Sequence, residues 1–190
     1  MTDKVAKAQS GIMDLIDAIG EDMDREGLLD TPARVVKAFR EMTAGYQMDP
    51  AEILSKQFDV SSDDLVVVRG VRFTSLCEHH MLPFTGVAHV AYLPTARVVG
   101  LSKLARLVNC YAMRLQVQER MTQQIASALM DHANAQGSAC VVIGKHACMG
   151  CRGVRQPDAD MVTSAMFGRC REDAGLKNEL IALLGLGGTT

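Results

Sequence analysis

LVVVRGVRFTSLCEHHMLPFTGVAHVAYL, residues 65–93, is the stretch on which the fold turns. Leu65 to Val68 and Val71 to Phe73 are β-branched and aromatic, as strands require, and Gly86 to Leu93 reads as a second strand. Pro83 and Pro94 bracket the second run as breakers. Between the runs sits a short polar insert, Cys77-Glu78-His79-His80.

Downstream the hydrophobic period changes from two to that of a helix. Leu104, Leu107, Val108, Tyr111 and Leu115 fit one helix, with Ser102 placed to cap its start. Val117, Met121, Ile125, Ala128 and Leu129 fit a second helix or a continuation of the first. After Asn134-Ala135-Gln136-Gly137 the chain turns β-like again, from Ala139 to His146 and from Met161 to Phe167. The order strand-strand, helix-helix, strand-strand makes this an α+β chain. Two hairpins form one antiparallel sheet with two helices on one face. A short helix near 178–184 and a Gly/Thr tail follow.

Upstream, residues 46–64 read as a polar connection, and the first 45 residues as helical. Val5, Ala8, Ile12, Leu15, Ile16 and Ile19 keep helical spacing up to Gly20. Asp30-Thr31-Pro32 opens a second helix, a capping residue followed by proline in the first turn, and Gly45 closes it. Two segments are expected: an N-terminal helical part, residues 1–60, and a main domain, residues 61–190.

Composition narrows the function classes. The net charge of −2 argues against a general nucleic-acid binder, though a local basic pocket for a small anion remains compatible with it. No run approaches the roughly 18 apolar residues of a membrane span, and the polar start MTDKVAKAQSG lacks the apolar core of a secretory signal. A soluble, cytoplasmic protein is expected. Its six cysteines then read as metal ligands or packing residues rather than as a disulfide framework.

Cys77-Glu78-His79-His80 packs a thiol, a carboxylate and two imidazoles into four residues, all ligand types that zinc prefers. His146-Ala147-Cys148 stands at the end of another strand. If both strand ends lie on one sheet edge, Cys77, one of the paired histidines and Cys148 make a three-ligand site, which leaves a coordination position open for water as catalytic zinc requires. The leftover histidines suit proton transfer. Cys110, Cys140, His89 and His132 read as structural. Cys148-Met149-Gly150-Cys151 is also a C-x-x-C, so a closed structural site with Cys151 as fourth ligand is the opposing reading. Lys103, Arg106, Arg152 and Arg34 are separately ordinary surface charges, and together they suit a phosphate chain. Glu119 is either an exposed helix carboxylate or a buried acceptor for adjacent N–H donors of a guanine edge.

These residues, taken in order, resemble the GTP cyclohydrolase I family. The resemblance rests on Cys77 to His80 with Leu82-Pro83-Phe84, on Val99 to Val108, on Arg114 to Thr122, and on His146 to Met149 with Arg152-Gly153-Val154. Upstream, Asp24 to Leu28 and Thr31 to Val35 match as well. The resemblance implies the tunnelling fold (T-fold) and a zinc enzyme that turns GTP and water into 7,8-dihydroneopterin triphosphate and formate. It implies Cys77, His80 and Cys148 as ligands of Zn2+, and His79, His146 and Ser102 as catalytic residues. Glu119, with Gln118 beside it, is implied to anchor guanine. Lys103, Arg106 and Arg152 are implied to hold the triphosphate, with Arg34 reaching in from a neighbouring subunit. A homodecamer of two pentamers, with active sites at subunit interfaces, is implied too. Cys151 departs from the family pattern. Another T-fold enzyme of purine or pterin metabolism is the remaining rival.

Overall fold

The computed structural model describes residues 2–60 and 64–185. Two compact units are resolved, Met1–Ala44 and Gly45–Thr190. The first consists of α1 (Thr2–Ala18) and α2 (Thr31–Met42), which pack on each other. Asp30 occupies the N-cap of α2, but its carboxylate does not cap the helix; it accepts from Arg34 Nη2 at 2.9 Å instead. Helix α2 ends at Met42, before Gly45.

The second unit starts with structure where a plain connection was expected. A 3₁₀ turn runs to Gln47, followed by α3 (Pro50–Leu54) and β1 (Gln57–Asp59). Asp49 caps α3 by accepting from Ala51 N at 2.8 Å. Three-residue elements carry too short a pattern to be read from hydrophobic period. Strand β1 pairs with β4 (Arg97–Val99), and α3 packs on α4 (Leu101–Ala112) and α5 (Gln118–Ala133).

The two strand runs at 65–73 form one long strand, β2 (Val66–Cys77), with a bulge between Val68 and Val71. Gly70 stands there at φ +72, a conformation open to glycine, and lets the strand kink without ending. Strands β3 (Pro83–Leu93), β6 (Gly137–His146) and β7 (Met161–Gly168) follow. The sheet order is β5-β2-β3-β6-β7, antiparallel except where β5 (Leu115–Gln116) runs parallel to β2. Leu115 therefore belongs to a two-residue strand and not to the preceding helix, which stops at Ala112. Ser102 does not cap α4. Gly100 takes that position, and Ser102 lies exposed in the first turn.

The core lies between the sheet and α4/α5. Phe73, Phe84, Val90 and Tyr92 face Leu104, Leu107, Met121 and Ile125. With no tryptophan in the chain, aliphatic side chains fill the volume. Tyr92 is fully buried, and its hydroxyl accepts from Val99 N at 2.7 Å, which satisfies its polar end and ties β3 to β4. On the opposite sheet face, Leu180 and Leu184 of α8 (Ala174–Leu184) cover Ala91, Ala139 and Val141. Two further single turns, α6 (Ala147–Gly150) and α7 (Arg169–Glu172), follow β6 and β7. The Gly/Thr tail, 186–190, lies outside the described residues.

The pairing of β3 with β6 leaves no room for a Cβ at Gly86, which would collide with the Ile143 carbonyl across the ladder. Gly86→Ala is expected to lower the unfolding free energy by about 1–3 kcal/mol, the range for overpacking, as read by urea denaturation.

Candidate metal centre

Three strand ends meet at one end of the sheet. Antiparallel pairing sets Leu76 opposite Pro83 and Phe84 opposite His146. The loop after β2 and the helical turn after β6 are thereby brought together. The loop reverses within one turn: Met81 N donates to Cys77 O at 2.8 Å, and Cys77 N donates to Leu82 O at 2.9 Å. Met81 adopts φ +55, a left-handed conformation that a non-glycine residue takes only when the surroundings enforce it.

In this setting Cys77, His80 and Cys148 offer ligand atoms that all lie within 4.8 Å of one another. Cys77 is buried, Cys148 half-buried and His80 exposed, so the cluster opens to one side. Cys77 Sγ stands 4.0 Å from His80 Nδ1. Zinc–sulfur and zinc–nitrogen bonds of about 2.3 and 2.0–2.1 Å place tetrahedral ligand atoms about 3.6–3.8 Å apart. The donors fit a metal in type and in spacing. Burial, and then the neighbouring Cys77 sulfur, push the Cys148 thiol up from its ordinary value. A metal reverses that tendency, because it binds the thiolate. Among the described residues Cys151 is not in the cluster; it is exposed at the C-cap of α6. Among the described residues the cluster offers three protein donors, one fewer than the closed four of a structural centre.

His79 stands beside the cluster, its Nδ1 3.8 Å from Cys77 Sγ and its ring edge-on to His80. His146 lies flat on Phe84, with centroids 4.5 Å apart and planes 5° from parallel. Burial pushes its pKa below the ordinary imidazole value, while the nearby Glu119 carboxylate pulls the other way. Glu119 itself is exposed in the first turn of α5. A cleft of about 460 Å³ is lined by His146 together with Pro83, Thr85, Lys145 and Cys151. The charge of Arg152 reaches Cys148.

Gln118 is fully engaged inside the protein, 1% exposed, with its carbonyl Oε1 3.0 Å from His146 Nε2. Ser102 is exposed in the first turn of α4, and neither Lys103 nor Arg106 lines the His146 cleft. Lys103 and Arg106 line a second cleft of about 460 Å³ with Met48, Asp49, Glu52 and Asn109, which shares no lining residue with the first. Arg34 belongs to the first unit, where it pairs with Asp30.

The structure adds residues that the sequence reading passed over. Arg120 grips Glu78 with two hydrogen bonds, at 2.6 and 2.8 Å, and holds its carboxyl below the usual carboxylate range. That pair moors the ligand loop to α5. Phe84 backs His146, and Lys145 borders the cleft. A charged pair 42 positions apart leaves no local signal.

Titration with Co(II) is expected to give one bound ion per chain, with the near-ultraviolet band of thiolate ligation. Cys77→Ser and Cys148→Ser should each remove most of that band, and Cys151→Ser should leave it in place. A band lost only with Cys151→Ser would contradict the three-donor assignment.

Among relatives, the chain is similar to the GTP cyclohydrolase 1 of Clostridium perfringens, 46% identical over 98% of this chain and 100% of that one. It is 49% identical to that of Mycobacteroides abscessus, over 94% of this chain and 89% of that one. Among solved structures, the apo form of an archaeosine synthase QueF-like protein matches with a TM-score of 0.47 and 17% identity, over 57% of this chain and 97% of the other. The profile of the GTP cyclohydrolase I family matches residues 8–185, and the chain belongs to that family of enzymes, with its α+β tunnelling fold.

Proposed function

We propose that the chain converts GTP and water to 7,8-dihydroneopterin triphosphate and formate, at a site where Cys77, His80 and Cys148 hold zinc. The observation that carries this reading is the three-donor cluster, open on one side, with His79, His146 and Glu119 around it. When bound, zinc supplies the Lewis acidity that makes water nucleophilic near neutral pH.

The chain's own residues do the rest. The Glu119 carboxylate accepts the two adjacent N–H donors of guanine. Adenine lacks that pair and leaves the carboxylate unmatched, which is the strong form of discrimination. His79 donates a proton at N7 as water adds to C8, and the imidazole ring opens to a formamide. A second water releases C8 as formate. His146 and Ser102 move protons while the opened ribose rearranges in Amadori fashion. Closing the pterin ring expels one water, so one is consumed overall.

Lys103, Arg106, Arg152 and Arg34 offset the charge of the triphosphate. Lys103 and Arg106 line a cleft separate from that of His146. That separation supports a homo-oligomer in which the basic cleft and Arg34 of neighbouring subunits complete the site; the family resemblance extends the reading to two pentamers face to face. We place this enzyme in the cytoplasm.

Zinc-loaded protein incubated with GTP is expected to release formate and, after oxidation, fluorescent pterin in one-to-one ratio. Two charge-assisted hydrogen bonds at about 1.5–3 kcal/mol each make the expected loss in kcat/KM for Glu119→Ala about 100-fold or more. Zinc-replete protein that releases no formate would overturn the assignment.

A further inference from the structure

Gln118 opens helix α5 as its first residue, yet its side chain turns inward. Its Nε2 faces three acceptors: Met161 O at 2.8 Å, Val142 O at 3.1 Å and Thr163 Oγ1 at 3.2 Å. Two of these are backbone carbonyls, which can only accept. The amide therefore has one permitted orientation. Flipped, its oxygen would face two carbonyl oxygens in the interior, where an unmatched acceptor costs most.

The hydroxyls around it close the accounting. Thr122 Oγ1 donates to Gln118 O at 2.7 Å, so Thr163 donates to Thr122 across 2.6 Å and keeps a lone pair for the amide. Every donor in this buried chain has one direction left to it.

The consequence falls on His146. Oε1, 3.0 Å from His146 Nε2, is an acceptor only, so Nε2 must carry the hydrogen. Stacking on Phe84 fixes the ring plane. Nδ1 has no partner among the described residues and is not buried, and His146 lines the cleft. Gly144 makes the arrangement possible, since a Cβ there would sit 2.5 Å from Gln118 Oε1.

We infer that Gln118 is a positioning residue that holds His146 as its Nε2–H tautomer through Oε1, leaving Nδ1 as the ring's working atom toward the cleft. Gln118 thus acts on the reaction through the imidazole and not by gripping the guanine base. The part that concerns turnover rests on the proposed GTP reaction; the tautomer itself does not.

The direct test is magic-angle-spinning NMR of the whole protein labelled with 15N-histidine, the His146 signals being assigned by their loss in His146→Asn. The expected wild-type spectrum shows a protonated Nε2 and a bare Nδ1 on the neutral ring. A neutral His146 with the hydrogen on Nδ1 would overturn the inference, and it needs no variant and no substrate. Gln118→Met and Gly144→Ala, the second of which keeps the amide donors while displacing Oε1, should each give mixed tautomers. In both, kcat should fall about 10–100-fold, as for lost orienting partners of active-site histidines, with KM for GTP nearly unchanged. A raised KM with kcat intact would mean that Gln118 contacts the base, and would refute the positioning role. A wild-type protein with the expected tautomer but no formate release would sink the proposed reaction and leave the positioning assignment standing.

Discussion

Strand β3 is paired along its length with two neighbours, β2 and β6, and the site exists because of that double pairing. Registers in a sheet are all-or-nothing, since a slip of one residue moves every side chain to the other face. Here a slip would take Phe84, Val90 and Tyr92 out of the core and separate the loop at 78–82 from the turn at 147–150. The hydrophobic core thereby holds Cys77, His80 and Cys148 together. Glycine at 86, where strands β3 and β6 crowd too closely for a side chain, helps pin that register.

The parallel pairing of β5 with β2 is the second constraint. Gln116 sits opposite Cys77, and Glu78 N donates to Gln116 O at 3.0 Å. Two residues of strand are enough to aim the start of α5 at the ligand loop. Gln116 itself is buried, and its amide donates to Tyr111 O and to Gln124 Oε1. A junction between two helices has become a rigid corner of the site.

Much of this was legible in the sequence, and the failures have a common cause. The strands and both core helices carry repeated apolar or β-branched patterns, so the runs at 65–68, 71–73 and 86–93 and the helical pattern over 117–129 announce themselves. Cys77 and Cys148 stand out because metal donors are chemically rare and both follow strand ends, while the choice of His80 over His79 comes from the family resemblance and not from donor chemistry. What could not be read is set by contacts across the chain. Leu115 continues a helical apolar pattern, yet it pairs with Leu76 in a two-residue strand. Ser102 has the side chain of a cap, but Gly100 starts the helix. The separation of Lys103 and Arg106 from the His146 cleft is likewise invisible in residue order.

The first turn of α5 shows how close together such differences can lie. Gln118, Glu119 and Arg120 are three successive polar residues, which as a string look like one solvated helix start. Each helical residue turns the next by about 100°, so the three side chains must leave in different directions. Gln118 enters the protein, spans the end of the β6–β7 ladder and meets His146. Glu119 stays exposed and near enough to His146 to act on its charge. Arg120 leaves on the side of the ligand loop and binds Glu78. One turn of helix thus reaches both the imidazole and the loop that follows β2. None of the three can shift by a residue without moving the other two, so this corner ties the Glu119 carboxylate, the Gln118–His146 contact and the Arg120–Glu78 mooring of the loop to a single rigid body.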